Sequence, residues 1–350
     1  MTPIEYTTTR SNPGVDPVLQ AWLVEVPIDL FAAATAAGLM VFAGLHLLRR
    51  RPTAPEPEVS CLVGPLVGFG LLSLGLTALF LDLSHKLYVW RLYLTFEPTS
   101  PMSWGSYLML LSYAALLVNA VAHAPRSLPR LVARIPLLAR AGAAVFADPR
   151  RVVALGAVNL LLGCALGIYT GTLLSTLRAR PLWNSPLLGP IFLVSGLVTA
   201  AALLHAVLVV AERGRAAEGG RSFGAWLGRL TGGDRPDPAP APMLRRATMA
   251  LLAVQAALLG LFVVGFLTAP EVGQRAVRAV LDGRWALPFW VGVLGVGTLA
   301  PLAWHALELR RVVRSTVGPA LLVALGAFLL RYVLVFAGQE SHWLAGLAGR

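Results

Sequence analysis

Eight long apolar runs constrain this chain more than any other feature of its sequence. A hydrocarbon core about 30 Å thick needs roughly 20 apolar residues to be crossed by a helix. Backbone groups left unpaired in lipid are costly, so each run is expected to be helical. The sequence therefore predicts an all-α membrane protein with eight transmembrane helices. The runs are approximately 26–48, 61–82, 103–124, 151–176, 186–211, 246–268, 286–307 and 316–338.

The overall composition excludes several other classes of protein. Hydrophobic residues make up 57% of the chain and charged residues only 13%, whereas soluble domains carry roughly 25% charged residues. The net charge of +12 does not indicate nucleic-acid binding, because the arginines cluster between apolar runs, where they set orientation. The two cysteines, Cys61 and Cys164, are too few for this chain alone to build a disulfide framework, an iron–sulfur cluster or a zinc site.

The distribution of basic residues predicts the orientation of the helices. Nineteen of the 29 lysines and arginines lie in the four loops that follow odd-numbered runs. Positively charged loops stay in the cytoplasm. Both termini are therefore predicted to be periplasmic, as is the connection between the second and third runs. A segment rich in glycine, proline and charge, at about 212–245, is predicted to be a semi-rigid cytoplasmic linker.

The connection between the second and third runs is both polar and aromatic. It reads DLSHKLYVWRLYLTFEPTSPMSWG from Asp82 to Gly105. Leucines and Trp90 alternate with charged residues in its first half, which predicts a helix lying in the membrane interface. Pro98 and Pro101 are expected to end that helix, because proline lacks an amide donor and restricts the residue before it.

Polar side chains recur at the predicted outer ends of the first four helices. Ionisable groups cost roughly 2.5 to 3.5 kcal/mol at the bilayer centre, so those set inside apolar runs need a functional reason. A carboxylate and a phenol beside an aromatic wall suit a quinone, whose carbonyls need donors and whose reduction takes up two protons. The substrate site of a secondary transporter would use similar groups, which leaves that alternative open. The candidates are Glu25, Asp29, Asp82, His85, Ser103, Trp104, Tyr169 and Thr170.

Five further polar residues lie within or near the ends of apolar runs. Arg331 is expected to snorkel outward or, preferably, to pair with a carboxylate such as Asp82. Four histidines recur near predicted inner helix ends, namely His46, His123, His205 and His305. They suggest a diverged internal repeat, as in transporters, or a di-haem cytochrome b. Their positions beside arginine-rich loops equally suit ordinary polar contacts at the interface.

Four passages resemble the NrfD/PsrC family of integral membrane subunits, typified by the C subunit of polysulfide reductase. They are NPGVDPVLQAWLVEVPIDLFAAATAAGLM near the N-terminus, the segment from Asp82 given above, YTGTLLSTLRARPLWNSPLLGP from Tyr169 and LRYVLVFAGQ from Leu330. The resemblance implies two four-helix bundles in a bacterial inner membrane. Residues 1–180 would form the first bundle, with a menaquinone or ubiquinone site, and residues 181–350 the second. It also implies that this chain holds no haem or metal.

The same resemblance implies a role in electron transfer, as a quinol-reactive or non-catalytic subunit. The chain would exchange electrons between the quinone pool and a four-cluster ferredoxin-like iron–sulfur subunit. A periplasmic catalytic subunit would lie beyond it, a molybdopterin enzyme, a hydrogenase or a multihaem cytochrome. Tyr169 matches the family tyrosine that hydrogen-bonds the quinone, Asp82 matches an acidic residue, and Asp29 stands where some members have histidine. Residues 84–86 are serine, histidine and lysine, whereas the family often has glycine and arginine followed by proline. The resemblance therefore does not define the shape of the pocket rim.

Overall fold

Eight helices are long and apolar enough to cross a membrane in the part of the chain that the structure describes, which confirms the predicted number of spans. This computed structural model describes residues 22–52, 59–83, 85–177, 179–216, 223–232 and 240–341. The helix ends differ from the ends of the predicted runs by a few residues. The chain is a multi-pass integral membrane protein. The helices are α1 (Glu25–Arg50), α2 (Val63–Asp82), α3 (Pro101–Pro125), α4 (Pro149–Ser175), α5 (Leu188–Arg215), α6 (Pro242–Leu267), α7 (Pro288–Leu309) and α8 (Gly318–Glu340).

Helix α1 is the most buried of the eight and lies at the centre of the protein. It contacts α2, α4, α5 and α8. In the most apolar stretch of each helix, 78% of residues are buried in α1 but 28% in α6 and α7. The sequence AAATAAG at 32–38 explains this position, because small side chains allow neighbouring helices to approach closely in a membrane.

Two glycines bring the backbones of α1 and α5 into contact. A Cβ atom added to Gly196 would lie 2.2 Å from the carbonyl oxygen of Ala34, and one added to Gly38 would lie 2.4 Å from that of Gly196. Such distances are shorter than any real Cβ contact, so neither position has room for a side chain. This contact joins the first four helices to the last four.

Replacing Gly196 with alanine is expected to destabilise the protein, because the added methyl group pushes α5 away from α1. Overpacking of this kind costs about 1 to 3 kcal/mol. Gly260→Ala is the matched control, since a Cβ at Gly260 has no atom within 4 Å. The thermal midpoint of the detergent-purified protein should fall for Gly196→Ala and hold for Gly260→Ala; equal midpoints would contradict this close contact.

Neighbouring helices in sequence run in opposite directions, which sorts the helix ends into two groups. Gly75 of α2 lies against Asp29 near the start of α1, whereas Gly68 lies against Ala36 further along it. The starts of α1, α3, α5 and α7 therefore share one side with the ends of α2, α4, α6 and α8. We call this side the Asp29 end and the opposite side, where the arginine-rich loops lie, the arginine-rich end.

The connection from α2 to α3 does not form the single interfacial helix that the sequence predicted. It contains a 3-10 turn at Lys86–Tyr88 and a one-turn helix at Arg91–Leu94. Non-helical residues follow as far as Ser100, with a turn at Pro98 and Thr99. The Tyr107 hydroxyl donates to the carbonyl oxygen of Tyr93 at 3.0 Å. The single hydroxyl hydrogen of Ser106 is shared between the carbonyl oxygens of Ser103 at 2.8 Å and Leu92 at 3.1 Å. These bonds tie residues 85–100, here called the cap segment, to α3.

The predicted linker at 212–245 is partly helical. The α5 helix continues to Ala216, and a helix at Phe223–Gly232 packs against it. Gly214 and Gly224 bring the two backbones together, so this part is packed against the protein and not a spacer. Residues 217–222 and 233–239, which include most of the proline-rich run, lie outside the described residues.

Shorter helices and one unusual helical stretch complete the architecture. Helices at Pro129–Arg134 and Pro136–Phe146 follow α3. An amphipathic helix at Glu271–Leu281 precedes α7 and buries its apolar face against the Asp29 end of the second half. The first part of α7, Pro288–Leu299, is wound as a π-helix. Hydrophobicity has no signal for this widened helix, and the sequence did not predict it.

Candidate functional site

A cavity of about 390 Å³ lies at the Asp29 end, among the first four helices. Helices α1 to α4 and the cap segment all contribute to its wall. The wall is mainly leucine, methionine and aromatic side chains, with a few polar groups among them. Every lining residue lies between Trp22 and Leu174, so no described residue of the second half contributes to the wall directly. Ligand sites commonly combine a mostly apolar wall with few polar groups.

Asp29 is the carboxylate of this cavity. Its side chain is buried, with 5% of its surface exposed, and it lies against the backbone of α2. A Cβ atom added to Gly75 would lie 2.6 Å from Asp29 Oδ1. No described residue donates a hydrogen bond to the carboxyl group. A buried carboxyl without an internal partner is costly unless a ligand or a proton satisfies it.

Tyr169, on α4, places its hydroxyl against α3 in the wall of the same cavity. A Cβ atom added to Gly105 would lie 1.9 Å from that hydroxyl, so α3 needs a glycine there. Among the described residues the Tyr169 hydroxyl has no hydrogen-bond partner, which leaves it able to donate to a ligand. The neighbouring Thr170 hydroxyl donates to the carbonyl oxygen of Gly167 at 2.8 Å, so it can only accept a further bond.

Of the six other predicted site residues, only Asp82 lines the cavity. Asp82 is the last residue of α2 and is half-buried at the cavity wall. His85 and Ser103 line a second, more open pocket of about 400 Å³ on the outer side of the cap segment. Trp104 lies outside both pockets, where it is half exposed and its indole N–H donates to the carbonyl oxygen of Pro98 at 2.9 Å.

The second pocket differs from the first in its exposure and its charged groups. Arg91 and Glu97 line it. Hydrogen bonds from Thr99 hold the pKa of the Glu97 carboxyl below its usual value. The hydroxyl oxygen of Ser103 accepts a hydrogen bond from the backbone N–H of Glu97, at 3.0 Å. Glu97 and Ser103 are thus already hydrogen-bonded, and the Arg91 guanidinium stacks on the rings of Tyr88 and Trp90. The first cavity is therefore the better candidate for a ligand site.

Glu25 and Arg331 do not line the cavity. Glu25 is one helical turn from Asp29, and its Oε2 atom is buried without a partner in the described part of the chain. Arg331 is fully buried and donates to the carbonyl oxygens of Leu30 and Phe192, at 3.0 and 3.2 Å.

The predicted pairing of Arg331 with a carboxylate is wrong. No Asp or Glu among the described residues forms an ion pair with it. The reason is the position of α8, which packs against α1 and α5. The guanidinium of Arg331 is therefore surrounded by carbonyl groups of these helices.

Several wall residues were missed by reasoning from the sequence. Tyr93 reaches the cavity from the cap segment, and burial raises the pKa of its phenol above the usual value of 10. Trp22 precedes α1 and forms part of the wall. Two glycines were also missed: Gly105, which lines the cavity, and Gly75, which packs against Asp29. Their only signal was a glycine inside an apolar helix, which suggests a close approach of another backbone or side chain.

The four histidines lie away from this cavity. They occur near the helix ends at the arginine-rich end, as the sequence predicted. The rings of His205 and His305 pack edge to face with centroids 5.6 Å apart. His305 Nδ1 lies 3.0 Å from Glu308 Oε2, close enough to donate a hydrogen bond to that carboxylate. His123 Nδ1 similarly lies 2.9 Å from the carbonyl oxygen of Asn119.

Comparison with known proteins identifies the family. The family model described as polysulphide reductase, NrfD, matches residues 17–222 and 227–341. The chain belongs to the NrfD family. It is 31% identical over 333 residues to protein NrfD of Escherichia coli strain K12, covering 91% of this chain and 95% of that protein. It is 25% identical over 334 residues to the C subunit of polysulfide reductase from Wolinella succinogenes, covering 91% and 94% respectively.

The match to a further relative covers nearly the same share of both chains. The NrfD homolog of Haemophilus influenzae is 26% identical over 322 residues, covering 91% of this chain and 94% of that protein. The resemblance found in the sequence is therefore confirmed, and it extends along almost the whole chain.

Two passages that carried the NrfD resemblance meet in the structure although they are about 150 residues apart. Trp183, in the loop RPLWNSP, donates its indole N–H to the carbonyl oxygen of Leu334 at 2.7 Å. Arg180 donates to the carbonyl oxygen of Gln339 at 2.7 Å. A Cβ atom added to Gly338 would lie 1.8 Å from the Trp183 indole nitrogen, which explains the glycine in the string FAGQ. This contact lies beside the cavity wall at Trp22.

Proposed function

We propose that this NrfD-family chain is the quinone-reactive membrane anchor of a periplasmic oxidoreductase complex. The observation that supports this most strongly is the cavity at the Asp29 end. It combines a mostly apolar wall with a buried carboxyl group and a phenol, neither of which has a hydrogen-bond partner among the described residues. A quinone head group has the complementary requirements: burial of its ring and a hydrogen bond to its oxygen.

The residues present fit a quinone. Burial of the ring and the first part of the tail against leucine and methionine side chains would supply about 25 cal/mol for each Å² removed from water. Tyr169 would hold one quinone oxygen by donating its hydroxyl hydrogen. Asp29 would face the other oxygen, and Asp82 would lie at the side of the cavity towards the cap segment.

Proton transfer would be carried by the chain's own groups. A bound quinol would release two electrons, taken up by the proposed iron–sulfur partner, and two protons, which would leave one after the other through Asp29. Asp29 accepts a proton from a quinol hydroxyl during oxidation and returns it during reduction, because a carboxylate in hydrogen-bonding reach can act in both directions. Asp82 is half-buried and can pass the proton towards water. The apolar wall limits the access of water to the reacting oxygen.

Further parts of the proposal concern assembly and orientation. One relative is named as a subunit of polysulfide reductase, which supports a place in a multi-subunit reductase for this chain as well. Its immediate partner would be a four-cluster iron–sulfur subunit, with a catalytic subunit beyond it. The excess of arginine at the opposite end supports an Asp29 end on the periplasmic side of a bacterial inner membrane.

The helix contacts support two four-helix bundles. Successive contacts among α1, α2, α3 and α4 close one ring of four helices, and those among α5, α6, α7 and α8 close a second. The first bundle would hold the quinone site, within the first 180 residues.

Replacing Tyr169 with phenylalanine is expected to lower quinol turnover by about tenfold without loss of assembly. The change removes one hydrogen bond to the quinone oxygen, worth about 0.5 to 1.5 kcal/mol. Gly105→Ala should have a similar effect, because its methyl group displaces the same hydroxyl. Tyr113→Phe is the matched control, since that hydroxyl donates to Ser73 away from the cavity. Unchanged turnover for Tyr169→Phe would remove Tyr169 from the site.

The partner proposal has a separate test. The complex is purified in mild detergent through a tag on this chain and analysed by mass spectrometry. Co-purification of an iron–sulfur protein with a molybdopterin enzyme, hydrogenase or multihaem cytochrome is the expected result. Recovery of this chain alone, stable and able to bind a small solute, would instead favour a transporter.

A further inference from the structure

We infer that Gln339, at the end of α8, is a positioning residue for the cavity, acting by clamping Trp22 into its wall. The inference rests on the proposed quinone site and assigns a task to the second half of the chain. Trp22 lines the cavity but precedes α1, so the helical hydrogen-bond ladder of α1 does not hold it.

The side-chain amide of Gln339 supplies the missing hydrogen bonds. The backbone N–H of Trp22 donates to Gln339 Oε1 at 3.2 Å, and Gln339 Nε2 donates to the carbonyl oxygen of Trp22 at 3.0 Å. An amide side chain is matched to this task because it offers one acceptor and one donor together. The two residues are 317 positions apart, so only the folded protein brings them together.

The indole ring of Trp22 is held from the second half as well. It stacks on the ring of Trp183, with centroids 5.2 Å apart and an interplanar angle of 27°. The Trp183 ring is in turn fixed by its bond to the carbonyl oxygen of Leu334 and by its close contact with Gly338. The position of Trp22 in the cavity wall therefore depends on its contacts with the end of α8, both directly and through Trp183.

The expected consequence concerns ligand affinity more than the chemical step. Trp22 provides wall surface, whereas Asp29 and Tyr169, the groups proposed to face the quinone oxygens, lie on α1 and α4. A loose Trp22 therefore weakens binding of the quinone ring and leaves the reacting groups in place. A residue that acted only on folding would lower stability without this separation.

The experiment compares Gln339→Ala with Glu340→Ala in the intact complex. Glu340 is the matched control, because it ends the same helix but bonds to Arg284 and Trp285, both in the second half. Michaelis constants are measured with reduced menadione, and dissociation constants with menadione by equilibrium dialysis. Amide exchange of the Trp22 peptide is followed by mass spectrometry as a readout independent of activity.

For Gln339→Ala we expect KM and Kd to rise about three- to tenfold, with kcat changed less than about twofold, since one or two hydrogen bonds are lost. The Trp22 amide should lose its protection from exchange. Gln339→Glu should fall between wild type and alanine, since it keeps the acceptor for the Trp22 N–H. Glu340→Ala should leave KM, Kd, kcat and the protection of the Trp22 amide unchanged.

Equal behaviour of Gln339→Ala and Glu340→Ala in binding and exchange would overturn the inference, even if both lowered the thermal midpoint. That result would leave the proposed function intact provided that Tyr169→Phe still lowers turnover. Failure of the wild-type complex to bind menadione would overturn the proposed function and, with it, this inference.

Discussion

Asp29→Asn is expected to lower quinol turnover by roughly 100-fold or more while the complex still assembles. The amide has nearly the shape of the carboxyl group, so the contact with Gly75 is preserved. It cannot accept a proton at neutral pH, however, and positioned general acid–base groups contribute about 10² to 10⁴ in rate. The measurement is steady-state oxidation of reduced menadione by the purified complex, with kcat and KM determined separately.

The control for Asp29→Asn is the same chemical change outside the cavity. Asp282 is exposed at the Asp29 end, after the amphipathic helix Glu271–Leu281, and Asp282→Asn should leave turnover unchanged. The dissociation constant for menadione should change little in Asp29→Asn, because the apolar wall remains. Normal kcat in Asp29→Asn would exclude this residue as the proton acceptor.

Arg331→Ala is expected to cause the largest loss of stability among the substitutions considered. Its side chain is fully buried and bridges three helices, through Leu30 on α1, Ser195 on α5 and its own helix α8. Truncating a large buried side chain costs on the order of 2 to 5 kcal/mol, because a cavity remains. The thermal midpoint of the detergent-purified protein should fall by several degrees.

Arg331→Met separates the effect of volume from that of hydrogen bonding. Arg331 has no carboxylate partner among the described residues, so the hydrogen bonds of its guanidinium only offset the cost of burying it. Methionine restores most of the volume, and its midpoint should lie between those of alanine and wild type. A midpoint for Arg331→Ala equal to that of wild type would show that the three-helix bridge adds nothing to stability.

The candidate site was only partly predictable from individual residues. Asp29, Asp82, Tyr169 and Thr170 were singled out because they lie at one level, near the predicted outer ends of the first four helices, and all four line the cavity. Trp104 was included on the same grounds, yet it faces away from the cavity. Position along an apolar run indicates depth in the membrane, but the direction of a side chain depends on the rotation of its helix, which the neighbours set.

The cap segment shows the same limit for local structure. Its periodic leucines favoured one helix, and local sequence alone contains no competing signal before Pro98. The second short turn ends at Leu94, where the hydroxyls of Ser106 and Tyr107 contact the carbonyl oxygens of residues 92 and 93 that a longer helix would use. Those donors belong to α3, so the competition appears only after the segment and α3 have packed together.

By itself, the sequence determined the number of spans, their approximate ends and the separation of an arginine-rich end from an end with few charges. These properties follow from the thickness of the bilayer and from the cost of unpaired backbone and charged groups in lipid, which act on each segment separately. Tertiary structure alone decided the rest. The approach of Gly75 to Asp29 and of Gly105 to Tyr169, the carbonyl groups around Arg331 and the hydrogen bonds between Gln339 and Trp22 all join separate segments of the chain. Such contacts depend on helix rotation and close packing, which no single segment encodes.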